Sequence, residues 1–430
     1  MSLLAKNSIV SRYLTDHGQE LAEKDGLDPA RLAQEIDAGR MVLLANPAHK
    51  GVAPTIIGQP ARIKVNANIG TSPMINDVDM EMKKLKLAEQ AGAHTVMDLS
   101  TAGDLDAVRR RILAESPLPL GTVPLYSLSQ KCLAKGRDIS DFDAQELLDE
   151  IALEAKQGVD FMTLHCGVTA KGAHLAVDGR RILGIVSRGG SIMARWMKRN
   201  NQENPLLTHY DELLAICRKH NVTISLGDGL RPGAGHDAGD AAQWEEVAVL
   251  GDLAKRALAH GVQTMIEGPG HVPLHLVQSQ IQGIKRLTNN APLYVLGPLT
   301  TDCAPGHDHI VGAIGGAMAG YFGADFLCYL TPAEHLTLPS PEDVWAGVKA
   351  SLIAAQSAEN ALGRPWAVER DLAMSQARAS LDWQAMADLA LDPQVVRHRR
   401  RDFDQEKECA MCGSFCAIRM LEDKDPPCKG

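Results

Sequence analysis

The sequence is poor in aromatic residues: Phe, Trp and Tyr together make up 4% of 430 positions. Its core must therefore be mainly aliphatic, drawn from the 45% of residues that are hydrophobic. Val, Ile, Leu and Ala dominate, as in parallel strands buried on both faces. No run of about 18 apolar residues occurs, so no membrane-spanning helix is expected. Residues 1–15 lack the apolar stretch of a secretory signal, and the chain is expected to be soluble and cytoplasmic. Positive charge is scarce as well, with 44 Lys and Arg against 53 Asp and Glu, a formal net charge of −9. A nucleic-acid binder would show a basic face instead. The short basic run at 397–401 reads as a solvated helix face.

Nine cysteines are too few and too scattered for a disulfide framework in a chain of this length. Cys132, Cys166, Cys217, Cys303, Cys328 and Cys428 read mostly as plain buried thiols. The other three stand together as Cys409-Ala-Met-Cys412-Gly-Ser-Phe-Cys416. Two readings fit them. Three thiolates can hold a 4Fe–4S cluster with one iron left open for S-adenosylmethionine. Alternatively, with Cys428 as a fourth ligand, they form a structural zinc knuckle.

Residues 1–55 are expected to form a helical lead-in, with helices over 11–24 and 28–38. From Arg62 onward short apolar runs alternate with amphipathic segments. Candidate strands are 63–65, 94–98, 120–125, 161–165, 182–187, 222–226, 263–266, 293–296 and 325–330. Helices between them include 105–115, 143–157, 210–220, 242–260 and 278–287. The alternation predicts an α/β fold with a parallel sheet, and the length suits a (β/α)8 barrel over 56–340. Nine runs are one too many, so 293–296 or 182–187 is expected to lie outside the barrel. Past Pro339 the helical stretches 343–362, 369–379, 383–390 and 395–404 follow one another without strands. They predict a helical C-terminal module at 341–404, then a flexible Cys-rich tail at 405–430.

Polar and glycine residues gather just after the apolar runs, where a barrel brings its catalytic groups to one rim. Ser187-Arg-Gly-Gly190 ahead of a helix suits a phosphate, through the helix N-terminus and Arg188 or Arg231, or else is an ordinary turn. Glu267-Gly-Pro-Gly-His271 and Thr331-Pro-Ala-Glu-His335 each end in an imidazole. His271 and His335 read either as a metal pair or as two hydrogen-bonded histidines. A hydrolase with a water-activating metal at this pair and a zinc tail, or a phosphosugar receptor without chemistry, would use the same residues.

The longer stretches carry a resemblance. Val65-Asn-Ala-Asn-Ile-Gly70, Val96-Met-Asp-Leu-Ser-Thr101, Gly121-Thr-Val-Pro124 and Ile185-Val-Ser-Arg-Gly-Gly-Ser-Ile192 come first. Ser225-Leu-Gly-Asp-Gly-Leu-Arg-Pro232, Met265-Ile-Glu-Gly-Pro-Gly-His-Val-Pro273 and Leu296-Gly-Pro-Leu299 follow. In this order, from about Arg62 to Cys416, the chain resembles the phosphomethylpyrimidine synthases. The resemblance implies a barrel, a small helical domain, and a homodimer in which the tail of one chain closes the barrel of its partner. It implies radical S-adenosylmethionine chemistry that turns 5-aminoimidazole ribotide into the pyrimidine phosphate of thiamine. The ribotide would be held by Asn68, Met97, Tyr126, His165, Ser187, Arg188, Gly189, Asp228, Gly229, Leu230, Arg231, Glu267 and Tyr294. Glu267 and Asp228 would also be the proton-moving groups. His271 and His335 would hold Zn2+ or Fe2+, Cys409, Cys412 and Cys416 the cluster, and an unidentified donor would supply electrons.

This chain departs from the family pattern in four places. The tail is C-x2-C-x3-C, where longer members have C-x2-C-x4-C. Thr71 stands where Asn is expected, Ser127 where Gln or Glu is usual, and His307 where Tyr is expected. A sister branch, the 5-hydroxybenzimidazole synthases, uses the same ribotide for a cobamide base, and the residues implied here would serve either product.

Overall fold

The structure is a computed structural model that describes residues 2–420; Cys428 lies outside the described residues. The chain divides into two compact units between Ala358 and Glu359.

The first unit opens with helices Leu3–Lys6, Ser8–Lys24 and Pro29–Asp37, as the lead-in predicts. It then departs from an all-helical lead-in. An antiparallel hairpin forms from β1 (Val42–Leu44) and β2 (Thr55–Ile57). Side chains alternate across a strand, so Val42, Leu44 and Ile57 enter the main core while Leu43 and Ile56 pack with the lead-in helices. The hairpin is tied to the barrel's N-terminal end. Leu43 exchanges hydrogen bonds with the Gln263 side chain at 2.7 and 2.9 Å, and the Asn46 N–H donates to Asp160 at 2.8 Å.

Eight parallel strands then close the barrel. They are β3 (Lys64–Ile69), β4 (Thr95–Asp98), β5 (Leu120–Thr122), β6 (Phe161–Leu164), β7 (Thr223–Leu226), β8 (Thr264–Glu267), β9 (Leu293–Leu296) and β10 (Phe326–Cys328), with β10 pairing β3. The (β/α)8 architecture is the one the alternation predicts, and 293–296 belongs to it. The surplus run is 182–187. Its Ile182 and Leu183 are 66% and 52% exposed, and their N–H groups go to the Asp237 carboxylate at 2.8 and 3.2 Å, not to a neighbouring strand. The third run also ends early. Pro124 cannot donate to a ladder and instead starts the helix Pro124–Ala134, which puts Tyr126 in a first helical turn, not at a strand end.

Three aromatic residues pack together inside the barrel. The Phe326 ring stacks on Tyr294 at 4.2 Å and meets Phe161 edge-on at 6.4 Å. Gly121 makes room for them, since a Cβ there would stand 2.3 Å from the Phe161 ring.

The helix Pro341–Ala361 still belongs largely to the first unit, because Val344 and Val348 pack with Val65, Ala67 and Tyr329. The separation thus falls at 358/359, one helix later than the change at 340/341 that the sequence suggests. The second unit holds helices Pro365–Ala379, Trp383–Leu389 and Pro393–Arg400, then the cysteine segment. Among the described residues no helix is long and apolar enough to cross a membrane.

Candidate active site

A cavity opens at the barrel mouth. Asn68, Met97, Tyr126, His165, Asp228, Arg231, Glu267 and Tyr294 line it, so the structure brings eight of the predicted ribotide residues together. A second cavity, about 760 Å³, adjoins it; Asn68 and Leu99 line both, and Thr71, Lys84, Arg188, Glu334 and His335 line the second.

The charged centre is small. Arg231 Nη1 donates to Asp228 Oδ1 at 2.9 Å. Glu267 Oε1 accepts from Thr163 Oγ1 at 2.6 Å and Ser225 Oγ at 2.7 Å. Burial and then the Asp228 charge push the Glu267 carboxyl up to about 7, against the pull of those hydroxyls and Arg231. Burial raises Asp228 too, against Arg231. Two carboxyls near one guanidinium are thus both raised above the ordinary carboxylate range, Glu267 to about 7.

His165 directly follows β6, with its ring buried. Burial and the nearby Arg231 charge lower it to about 3, so the imidazole is neutral. Its Nδ1 has no hydrogen-bond partner. The ring lies against Gly189, where a Cβ would come within 2.1 Å of it. Ser187 caps the helix Arg188–Asn200 by accepting the Gly190 N–H, and the Arg188 guanidinium lies 4.9 Å from the centre of the Tyr126 ring. At Gly190 a Cβ would stand 2.1 Å from the Gly229 carbonyl oxygen. Glycine here lets the helix start meet the loop at 228–231. Gly190→Ala is expected to lower unfolding stability by about 1–3 kcal/mol through overpacking. Thermal melts check this, and an unchanged melt would contradict the close approach.

Not every predicted residue presents its side chain to the cavity. Leu230 is fully buried in the main core, and its N–H donates to Glu246 at 2.8 Å. The sequence reading missed Thr163, Ser225 and Cys328. Thr163 lies two residues before His165 and so shares its face, a signal the strand period carries. Cys328 lines the cavity and accepts from Asn68 Nδ2 at 3.1 Å.

The departures fall around the site. Ser127 turns away from the cavity into a buried network, donating to Glu154 at 2.9 Å and accepting from Arg109 at 3.0 Å. Thr71 Oγ1 donates to the Ala102 carbonyl at 2.7 Å. His307 is exposed, just before the helix Asp308–Phe322.

His271 and His335 come together, with ring centroids 5.3 Å apart. Each Nδ1 is held by a carboxylate: Asp302 at 2.7 Å for His271 and Asp308 at 3.0 Å for His335. That arrangement fixes the rings and leaves both Nε2 atoms clear of these carboxylates, an orientation also seen where a carboxylate positions a metal-binding histidine. His335 has a φ of +62°, a strained backbone of the kind found at functional sites. Among the described residues no group of three or more His, Cys, Asp or Glu stands as a ready ligand set. The histidine pair therefore offers two ring nitrogens, short of a full set of protein ligands.

In the second unit the cysteines occupy consecutive turns. The Cys412 N–H donates to the Cys409 carbonyl at 3.2 Å, and the Cys416 N–H to the Gly413 carbonyl at 3.1 Å. Backbone N–H groups of Cys412 and Met411 lower the Cys409 thiol and so favour thiolate. The Cys412 thiol, facing it, is raised. Arg400 fixes the approach. Its guanidinium stacks over Trp383 at 4.0 Å and donates to the carbonyls of Phe403, Glu406 and Glu408 at 2.6, 2.6 and 3.0 Å. An Arg419–Glu408 ion pair ties the far side of the loop back to its start. Closely spaced thiols with N–H donors fit a thiolate-ligated cluster.

Fold and site together define a barrel enzyme with an acid–base pocket, a histidine pair and a thiolate segment. The chain belongs to the Radical SAM ThiC family, whose model matches residues 5–423. It is 48% identical to a phosphomethylpyrimidine synthase of Methanopyrus kandleri over 96% of this chain and 97% of that one. It is 48% identical to one of Carboxydothermus hydrogenoformans, covering 98% of each chain. With one of Methanocaldococcus jannaschii it shares 46% identity over 97% of this chain and 98% of that one.

Proposed function

We propose that this enzyme rearranges 5-aminoimidazole ribotide into 4-amino-5-hydroxymethyl-2-methylpyrimidine phosphate for thiamine. The observation that carries the reading is the barrel-mouth cavity, where Arg231, Asp228, Glu267 and neutral His165 face one ligand-sized space. The relatives' shared name agrees with it.

Arg231 and the positive end of the helix Arg188–Asn200 hold the ribotide phosphate. His165 Nδ1, which has no protein partner, takes a hydrogen bond from the substrate or gives one to it. Asp228 and Glu267 hold ribose hydroxyls and move protons as the sugar fragments. Cys409, Cys412 and Cys416 would hold a 4Fe–4S cluster, which would supply the reducing electron for cleavage of S-adenosylmethionine. His271 and His335 would hold Zn2+ or Fe2+. A homodimer, in which the cysteine segment of one chain covers the barrel mouth of its partner, keeps water and oxygen away from the radical. A separate electron donor completes the system.

Because Glu267 titrates near 7, turnover is expected to rise with pH through neutrality as its carboxylate forms. Glu267→Gln should remove that limb and cost roughly 100-fold in kcat. A pH–rate profile in which the limb persists in the variant would contradict the role. The binding half of the proposal needs no cluster. Calorimetric titration of the ribotide into iron-free protein should show one site per chain, and no heat of binding would overturn the reading.

A further inference from the structure

Behind the charged centre lies a carboxyl that the mechanism above does not use. Glu246 sits on the helix Ala241–Ala259 and is 2% exposed. Its Oε2 accepts the Leu230 N–H at 2.8 Å, and its Oε1 has no partner. A small cavity with room for about one water lies beside it. Asp228, Arg231, Glu246 and Glu267 line that cavity, with Val247, Leu250 and Ile284 as apolar wall.

An ionised carboxylate with a bare oxygen in such a place is costly, whereas a neutral acid needs only an acceptor for its O–H. Burial, and then the Asp228 charge, hold the Glu246 proton on well above the usual carboxylate range. The Leu230 N–H, Arg231 and Arg181 pull the other way. Arg181 is largely committed, paired with Asp240 at 2.7 Å. The Gln243 side chain is committed too, accepting from the Gly239 N–H at 2.7 Å and donating to Gln280 at 2.9 Å. Glu267 meets the same cavity from the end of β8. Around Glu246 there are thus two carboxyls able to take a proton and a gap of the right size between them.

We propose that Glu246 is the proton reservoir of the substrate pocket, linked to Asp228 and Glu267 through one water in the cavity behind them. The Oε1 proton passes to that water, which gives one of its own to whichever pocket carboxylate has just lost a proton. Glu246 is left as the carboxylate, steadied by the Leu230 N–H, and is reprotonated by the reverse path when the pocket reopens to solvent. A pocket sealed against water keeps a proton source in this way. The inference rests on the proposed ribotide chemistry only for what the proton is used for.

Two measurements test it. Infrared spectra of the full-length protein in heavy water at neutral pH, wild type minus Glu246→Gln, should show a protonated-carboxyl C=O band that the variant lacks. Absence of that band overturns the proposal. In the reconstituted enzyme, Glu246→Gln keeps the acceptor for Leu230 and should leave the ribotide KM within about twofold. Its kcat should fall roughly 10- to 100-fold, at or below the lower end of a direct general acid–base contribution as befits a group acting through a water, and Glu246→Asp should recover part of the loss. An unchanged kcat overturns the relay even where the band is present. A wild-type enzyme that makes no product overturns the proposed function, while the infrared result, which needs no turnover, still decides whether Glu246 carries the proton.

Discussion

Cys412→Ala is expected to abolish formation of 5′-deoxyadenosine and of pyrimidine while the barrel melts as before. Cys409 and Cys412 lie within one turn, with the Cys412 and Gly413 N–H groups both donated to the Cys409 carbonyl, at 3.2 and 3.0 Å. Removing the middle thiol leaves two ligands where a cluster with one open iron needs three. Iron and sulfide assays after anaerobic reconstitution should fall to background, and the brown colour should be lost. Cys412 lies outside the unit that holds the barrel core, and a partly exposed position of this kind should move stability by no more than about 0.5 kcal/mol. An active Cys412→Ala enzyme would refute the cluster assignment. A colourless wild-type protein that carries zinc would favour the knuckle.

The second large effect is expected from Arg231→Met. Arg231 faces Asp228, Glu267 and Tyr126, and its own proton is held more firmly by Asp228 and then Glu267, against burial. Without it, Asp228 is a buried carboxylate that has lost its cation, a change that costs about 3–5 kcal/mol in comparable sites. The variant avoids part of that cost by keeping a proton on the carboxyl. Its folded-state affinity for the proton then lies above the unfolded value. The penalty is therefore absent at acid pH and grows as pH rises past the ordinary carboxylate range. Melts across a pH series should show wild type and variant converging at low pH and separating toward neutrality. A constant gap would contradict the pairing. Ribotide affinity should fall roughly 30-fold or more, since a buried charged partner is lost.

Much of this was legible in the sequence, because parallel strands buried on both faces leave unbroken apolar runs, and seven of the nine runs lead into polar clusters. The run at 182–187, one of the two expected to fall outside the barrel, has the strand composition of Ile182, Leu183, Ile185 and Val186 but joins no strand. The Asp237 carboxylate, distant in sequence, takes up the N–H groups of Ile182 and Leu183. The hairpin of β1 and β2 was missed for the opposite reason: each strand has three residues, too few to show alternation. At the site, eight of the residues named from the motifs line one cavity, yet their supports do not announce themselves. Asp302 and Asp308 act only through the histidines they orient, and Thr163 and Ser225 only through Glu267. Glu246 looks like any helical glutamate until the helix is docked and its Oε1 is seen to be enclosed.

The deciding measurement is a product assay. The protein is reconstituted anaerobically with iron and sulfide, then given S-adenosylmethionine, a strong reductant and 5-aminoimidazole ribotide, and the products are read by mass spectrometry. The pyrimidine phosphate together with 5′-deoxyadenosine is the expected result. 5-Hydroxybenzimidazole with 5′-deoxyadenosine would keep the barrel, the cluster and the ribotide site but contradict the thiamine product. Neither product from brown, fully loaded protein would contradict the ribotide reading itself.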